Sequence, residues 1–570
     1  MNLNQRIPKL TVNLDRTEAI NVFAIAVFWV FMIVLVNPLG DFPLIDDWAF
    51  GKSVKSIIEQ GDFYFSSWNG MNLFSQILWG ALFCLPFGFS FTALRFSTLT
   101  LGLIGILSTY GLFREVKLSP KIALCGTLIV AVNPLYFLLS NTFMTDVPFF
   151  AFAILSLLFL IRGLRKNSGI EIYIGVFIVC VALLIRQLAM AILLAFGCAY
   201  LFKNGFNSKN FFKGFFPASL GLLVQFIYQK WLTLHLANHN AYGTQVKNIF
   251  NILSEKGIEY ILYKFTSQTI VSLVYLGLFI FPFLVILLPV KFKNFTCQQK
   301  NIGLFFVASI STIIVGRLII SNKLIPYPNN ILSKFGFGPL FLRDTYYSFN
   351  EIIIPDALKI FWVFVTVVGG IGAAILIMYL FFSIWQIFSK NFISELSKKW
   401  LSVFILSTIL IYFFPLGIGI LFDRYLIFLI PLLIMLVALP FININDKKNN
   451  STAIVIALST ILVFGAFTLG ATHDYLSWNR IRWQALNNLM QEFQITPNHI
   501  DGGFEFNGWY LYDSKYKPKH NRSFWWVDKD DYVVSFAAFT GYEEVKRYPL
   551  KRWLPFGPDK IVVLHKTTNG

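Results

Sequence analysis

Apolar runs long enough to cross a bilayer recur from residue 17 almost to residue 470, with short polar connections between them. No other feature limits the fold as tightly. Hydrocarbon offers the backbone no hydrogen-bond partner, so segments of this length fold as helices whose amides bond within the segment. Of the 570 residues, 56% are hydrophobic and 13% charged, a surplus of apolar side chains that a soluble core of this size would not need. The expected class is an α-helical polytopic membrane protein. Residues 17–37 alone would pass for a signal peptide, but the run is long, lacks a small-residue cleavage site and is followed by many others, so a retained first helix is expected. The cysteines, Cys84, Cys125, Cys180, Cys198 and Cys297, show no metal spacing and read as small hydrophobes.

Charge orders the spans. Thirteen are expected, at 17–37, 94–113, 121–140, 147–162, 170–186, 188–203, 214–231, 267–290, 301–318, 357–387, 401–421, 426–441 and 451–470. Alternate connections carry clusters such as Arg114, Lys117 and Lys121, then Arg162, Arg165 and Lys166, then Lys291, Lys293 and Lys300, on the same side as Arg6, Lys9 and Arg16. An excess of Lys and Arg marks the cytoplasmic side. The expectation is a multi-pass protein of the cell inner (plasma) membrane with a cytoplasmic N-terminus. This placement accounts for the net charge of +18 without a nucleic-acid partner. The run 71–87, "MNLFSQILWGALFCLPF", is left out because counting it would carry the next basic clusters outside; an interfacial or re-entrant helix is expected there.

With that choice "DDW" at 46–48 and "MTDVP" at 144–148 emerge on the same outer face. The transmembrane domain covers 1–470, with external segments at 38–93, 232–266 and 319–356. Residues 471–570 turn polar and aromatic: "HDYLSWNRIRWQALNNLMQEF" suits an amphipathic helix and "DYVVSFAAF" and "KIVVLHK" suit strands, giving a small external α/β domain.

Several polar residues sit where chemistry is feasible. Asp46 and Asp47 precede "WAFGKSVKSIIEQ", an amphipathic helix running to Gly61, so they lie near its positive end, where a carboxylate stays ionised and can serve as a base. They read equally as solvated end charges. Asp146 stands two residues before Pro148 at the start of another helix. Arg186 and Gln187 interrupt two apolar runs, and Arg424 opens another in "FDRYLIFLIP". Each arginine at a lipid boundary needs water, phosphate or a carboxylate; for Arg424 the choice is a lipid phosphate or pairing with Asp423 or another acid, with Tyr425 supporting a headgroup or anchoring the interface. The loop 319–352 offers Lys323, Arg343 and Asp344 as cleft contacts. His235 and His239 have four-residue spacing but no accompanying zinc pattern. There is no GxGxxG, Walker or serine-elbow sequence.

"IDDWAFGKSVKSIIEQGDFYFSSW" resembles the first external loop of the membrane GT-C glycosyltransferases, in particular the protein O-mannosyltransferase and aminoarabinose transferase group (glycosyltransferase family 39-like). "NPLYFLLSNTFMTDVPFF" resembles the next element of that family, and "ALRF" around Arg95 and "FDRYLIFLIPLL" around Arg424 are similar to others. "HDYLSWNRIRW" and "GGFEFNGWYLY" resemble a bacterial subset of these enzymes. The resemblance implies a GT-C fold and an EC 2.4 activity. It implies a polyprenyl-phosphate-linked monosaccharide as donor and a hydroxyl on an envelope lipid, glycan or protein as acceptor. It places Asp46 as catalytic base, with Asp47 and Asp146 beside it. A single displacement would invert the anomeric carbon, and Arg186 or Arg424 would steady the departing phosphate. Convergence of Asp46, Asp47 and Asp146 would suit a divalent cation, magnesium or manganese. The rival reading is a transporter or lipid flippase, although neither an inverted repeat nor a pair of broken helices at midmembrane is evident.

Overall fold

The computed structural model describes residues 16–235, 243–292, 297–327, 330–343, 359–388, 396–439, 451–517 and 525–567. Each of the thirteen expected segments is helical where described, but they are not equal in length. Among the described residues ten helices are long and apolar enough to cross a membrane, and eleven if Pro120–Ala131 and Pro134–Ser140, bent by 63°, count as one broken span. Asn133 makes that break: its side chain accepts from the amides of Leu135 and Tyr136, restarting the chain as a new helix ahead of Pro134.

Two of the thirteen expected spans fall short of span length among the described residues. The 170–186 run forms Gly169–Leu183, 15 residues, and the 426–441 run forms Leu429–Ala438, 10 residues, every one of them buried. At 1.5 Å per residue these reach about 22 and 15 Å, short of a hydrocarbon layer of about 30 Å. Leu429–Ala438 is a buried core helix, which hydropathy cannot tell from a lipid-facing one. Gly169–Leu183 exposes Ile170, Tyr173 and Phe177 and, though short, joins the end where Glu171 meets Arg162 to the end where Arg186 meets Asp146. The segment 71–87, left out on charge, gives Phe74–Cys84, 11 residues; about 16 Å of helix does not cross.

Ion pairs show which helix ends lie together. Arg114 meets Glu18 at 2.8 Å, Arg165 meets Glu115 at 2.6 Å and Arg162 meets Glu171 at 3.0 Å, so the basic connections gather at one end of the bundle. The candidate acids and Arg186 and Arg424 gather at the other. There the helix Ser451–Gln491 runs 41 residues without a break at 470, carrying the bundle directly into the C-terminal domain.

That domain holds the small sheet expected from the sequence. β1 (Leu332–Ser333) and β2 (Gly336–Phe337) form a short hairpin in the bundle's loops. β3 (Ile500–Asp501), β4 (Tyr532–Ser535), β5 (Tyr542–Pro549) and β6 (Lys560–Lys566) form a four-stranded sheet in the order β3-β4-β6-β5, parallel only between β3 and β4. "IVVL" in β6 is buried on both faces, as a central strand should be. "YEEVKRYP" in β5 is mostly exposed and charged, and charge on an edge strand discourages pairing with another chain.

Candidate functional site

Asp46 occupies the N-cap position of the helix Asp47–Gln60. The residue before it, Ile45, has φ +57°, a left-handed conformation that costs a β-branched residue about 1–3 kcal/mol and persists only when its surroundings impose it. Glu505 of the C-terminal domain imposes it: its Oε1 accepts the Ile45 amide at 3.2 Å while its Oε2 meets Arg482 Nη1 at 2.8 Å, and both charged side chains are fully buried. Asp46 is thereby turned away from its own helix and caps no amide in it. Its Oδ1 instead accepts Trp68 Nε1 at 2.9 Å. Burial pushes the Asp46 carboxyl above its ordinary range, the nearby Arg424 charge and the Trp68 hydrogen bond pull it back, and Asp146 raises it again.

Asp47 has a different task. Its Oδ1 accepts the Phe143 amide at 2.9 Å and its Oδ2 the Leu44 amide at 3.3 Å, tying the first loop to the segment that leads into Asp146. Burial pushes its pKa up to about 8 against the pull of the Phe143 hydrogen bond. Arg95 binds the same loop from the other side, donating to the carbonyls of Asn141, Pro38, Gly40 and Phe42 at 2.6–3.0 Å. A buried guanidinium satisfied by four carbonyls is a staple for the loop.

Asp146 begins the helix Asp146–Lys166 and is buried. Arg186 approaches it at 2.8 Å, Nη2 to Oδ1, without hydrogen-bond alignment, so neither Asp146 oxygen accepts a hydrogen bond among the described residues. Arg186 is held instead by Nε to Thr145 Oγ1 at 2.7 Å and by the face of Tyr425, 5.1 Å from the ring centroid. Arg424 lies 5.7 Å from the same ring, so Tyr425 stands between the two guanidiniums.

Pairing of Arg424 with Asp423 is corrected by the geometry. Asp423 spends its carboxylate on the amides of Ile331 and Leu332, at 3.1 and 2.8 Å, and on the amide of Arg424, at 2.7 Å. Arg424 Nε and Nη1 are buried with no hydrogen-bond partner among the described residues, although Asp46, Asp146 and Asp423 are all near enough to act on its charge. A buried cation with idle donors is costly unless an anion arrives. The structure therefore brings Asp46, Asp146, Arg186, Arg424 and Tyr425 to one end of the bundle and turns Asp47 into the scaffold.

The other expected contacts lie elsewhere. Arg343 donates to Asp530 at 2.6 Å and Tyr542 at 2.9 Å, fastening its loop to the C-terminal sheet. Asp344 and His239 fall outside the described residues, and the His235 side chain is likewise outside them. No group of three or more His, Cys, Asp or Glu is placed to share a metal ion among the described residues. Of the three acids expected to converge on magnesium or manganese, Asp47 faces backbone amides and Asp146 faces Arg186.

Sequence reasoning missed Glu505, Arg482, Trp68 and Ile45. The conspicuous signal was "GGFEFNGWYLY". Gly503 has φ +87°, and a Cβ there would meet Phe341 O at 2.6 Å; a Cβ at Gly508 would meet Trp48 Cε2 at 2.4 Å. The glycines let the domain press against the first loop. Trp48, Trp68, Phe504, Tyr512 and Trp526 pack there with ring centroids 5.0–6.3 Å apart and form an aromatic wall beside Asp46. On the far side of the Asp423 loop an apolar cavity of about 760 Å³ opens among the helices Lys359–Phe388 and Ser451–Gln491, with Leu332 in its wall.

Residues 77–231 match the family model of dolichyl-phosphate-mannose-protein mannosyltransferases. The match covers 77–231 alone, so it is a likeness over that segment. The match includes Asp146 and Arg186 and leaves Asp46 and Arg424 outside it. Among solved structures, the chain is similar to ArnT from Cupriavidus metallidurans bound to undecaprenyl phosphate, at 11% identity over 96% of this chain and 98% of that one, with a TM-score of 0.40. It is also similar to the oligosaccharyltransferase AglB from Archaeoglobus fulgidus with an inhibitory peptide and dolichol-phosphate, at 15% identity over 88% and 61% with a TM-score of 0.43. For the S. cerevisiae protein O-mannosyltransferase Pmt1-Pmt2 complex bound to the sugar donor the figures are 17%, 43%, 38% and 0.33. The chain thus spans less than two thirds of the archaeal and yeast chains. No curated protein matches the sequence significantly.

Proposed function

We propose that this chain is an inverting glycosyltransferase that moves a monosaccharide from a polyprenyl-phosphate donor to a hydroxyl on an envelope lipid, glycan or protein at the outer membrane face. The observation that carries this reading is Arg424, a buried guanidinium with two idle donors within electrostatic range of a partly exposed carboxylate, Asp46. That arrangement suits an anion that gains charge next to a group that gains a proton.

In the proposed step the acceptor oxygen attacks the anomeric carbon from the side opposite the phosphate. The bond from that carbon to the phosphate oxygen breaks, its electron pair leaves with the polyprenyl phosphate, and the acceptor proton passes to Asp46. The carbon is inverted. The donor phosphodiester carries one negative charge and the departing monoester carries two, so a fixed guanidinium binds the product-like state more strongly than the ground state. Arg424 meets the phosphate, and Arg186, held by Thr145 and Asp146, adds a second positive charge across Tyr425. Desolvation that raises the Asp46 carboxyl strengthens it as a base. The apolar cavity beside the Asp423 loop has the lining to take the isoprenoid chain. No step is routed through a divalent cation.

A transporter would need its charged groups along a midmembrane path; here they collect at one helix end beside an exposed domain, which favours transfer. The test is mass spectrometry of lipid-linked sugars and envelope glycans in cells carrying the wild type or Asp46→Asn. The variant should accumulate the donor and lack one product while remaining inserted. Normal product levels in Asp46→Asn would remove Asp46 as the base.

A further inference from the structure

Within the helix Ile258–Phe279, Tyr260, Tyr263, Lys264, Ser267, Gln268 and Val271 recur at three- and four-residue spacing and so share one face. The helix is long and apolar enough to be a span, and polar groups in a span face protein or water rather than lipid. This face lines a cavity of about 340 Å³, closed opposite by Lys323 and Tyr327. A second cavity of about 360 Å³ shares Lys264, Gly419 and Ile420 with it and ends on Gly70 and Gln187. Gly70 is two residues from Trp68, whose indole holds Asp46, and Gln187 adjoins Arg186. The two cavities adjoin at Lys264, Gly419 and Ile420, and the second reaches residues that flank the proposed reaction centre in the chain.

The groove's lining selects its ligand. Among the described residues it contains two lysines and no carboxylate. Lys323 is steadied by Ser267 Oγ at 2.9 Å and by the Tyr327 ring at 5.4 Å, which leaves its charge uncompensated by any acid in the lining. Gln268 Nε2 donates to the Gly419 carbonyl at 3.1 Å and ties the helix to the opposite wall. Ile258 and Leu262, on the flanks of the same helix, are 67% and 57% exposed, and at the end of a membrane-length helix lipid covers them.

We propose that this groove is the acceptor subsite and that the acceptor is a lipid-borne molecule with a phosphate or carboxylate held by Lys264 and Lys323. The inference rests on the transferase reading and adds the acceptor's chemical class. The same anion chemistry could come from the carrier's phosphate, which Arg424 is assigned to hold, and the experiment separates the two.

Full-length protein in detergent is titrated with dioleoyl phosphatidic acid, dioleoyl phosphatidylcholine and undecaprenyl phosphate, and bound lipid is counted by native mass spectrometry. Wild type should retain phosphatidic acid over phosphatidylcholine. The Lys264→Gln/Lys323→Gln double variant should lose about tenfold or more in phosphatidic acid retention, the loss of two charge-assisted contacts, while keeping undecaprenyl phosphate; Arg424→Gln should show the reverse. Unchanged phosphatidic acid retention in the double variant would overturn the subsite. Loss of undecaprenyl phosphate by the same factor would overturn it too, by giving the lysines to the carrier. A wild type that holds phosphatidic acid through these lysines but no undecaprenyl phosphate would defeat the transferase reading and leave the groove an anion site.

Discussion

Replacing Arg424 with glutamine should separate function from stability. Most buried charges cannot be removed without loss of the fold: breaking Arg482 from Glu505, both fully buried, should cost about 3–5 kcal/mol because a lone charge remains inside. Arg424 differs, since Asp423 is already satisfied by backbone amides and Asp146 keeps Arg186. Its own idle donors oppose folding, and their removal offsets the lost attraction to Asp46 and Asp146. The expected change in unfolding free energy is within about 1 kcal/mol. Turnover should fall about 10²- to 10³-fold, the effect of one well-placed donor to developing negative charge, about 3–4 kcal/mol. A second readout follows from the sign of the Arg424 charge. It pulls the Asp46 carboxyl down, so its loss should move the acid limb of the pH–rate profile to higher pH. The assays are single-turnover transfer from a radiolabelled lipid-linked sugar and thermal unfolding in the same detergent. Parallel loss of melting temperature and activity, with an unmoved acid limb, would refute the phosphate assignment and make Arg424 a structural group.

Asp47→Asn should keep turnover within about tenfold of wild type, because a raised pKa of about 8 leaves Asp47 largely neutral near pH 7, and the amide oxygen keeps the 2.9 Å bond from the Phe143 amide while the longer one from Leu44 is lost. A carboxyl raised in the folded state stabilises fully below its unfolded value of 3.8 and loses that contribution as pH rises toward about 8. Wild-type melting temperature should therefore fall across that window more steeply than that of Asp47→Asn; equal slopes would assign the titration elsewhere. Chelation with EDTA followed by magnesium or manganese should leave transfer unchanged, and a requirement restored by either ion would place a cation where the mechanism places arginine. Cys297 is exposed and sits in a connection expected to be cytoplasmic, so a membrane-impermeant maleimide should label it only in opened cells. Glu543→Cys, on the exposed edge strand β5 of a Cys297→Ser protein, should label in intact cells. The opposite pattern would invert the topology.

The helical bundle was legible because length and apolarity are local properties, and so was the shared end of Asp46 and Asp146, which charge counting could reach. The misread segments show the limit. Gly169–Leu183 and Leu429–Ala438 are as apolar as the longer helices, and only the folded chain shows where each one stops. Arg95 and Arg424 looked alike as arginines at helix starts. One proved to be fully used by four carbonyls and the other to have idle donors, a distinction set by chain segments far away in sequence.

Sequence alone determined that this chain enters a membrane, where its basic connections gather and which acids stand at helix starts, because hydropathy, charge and capping act over a few residues. Tertiary structure decided which acid is free to react. Asp46 and Asp47 are neighbours of the same type, yet the Phe143 amide, 96 residues away, engages one. Glu505, 460 residues from Ile45, fixes the left-handed residue that turns the other toward Arg424. Burial and hydrogen-bond partners are properties of the assembled fold, and they separate the carboxyl bound to two backbone amides from the one proposed as the base.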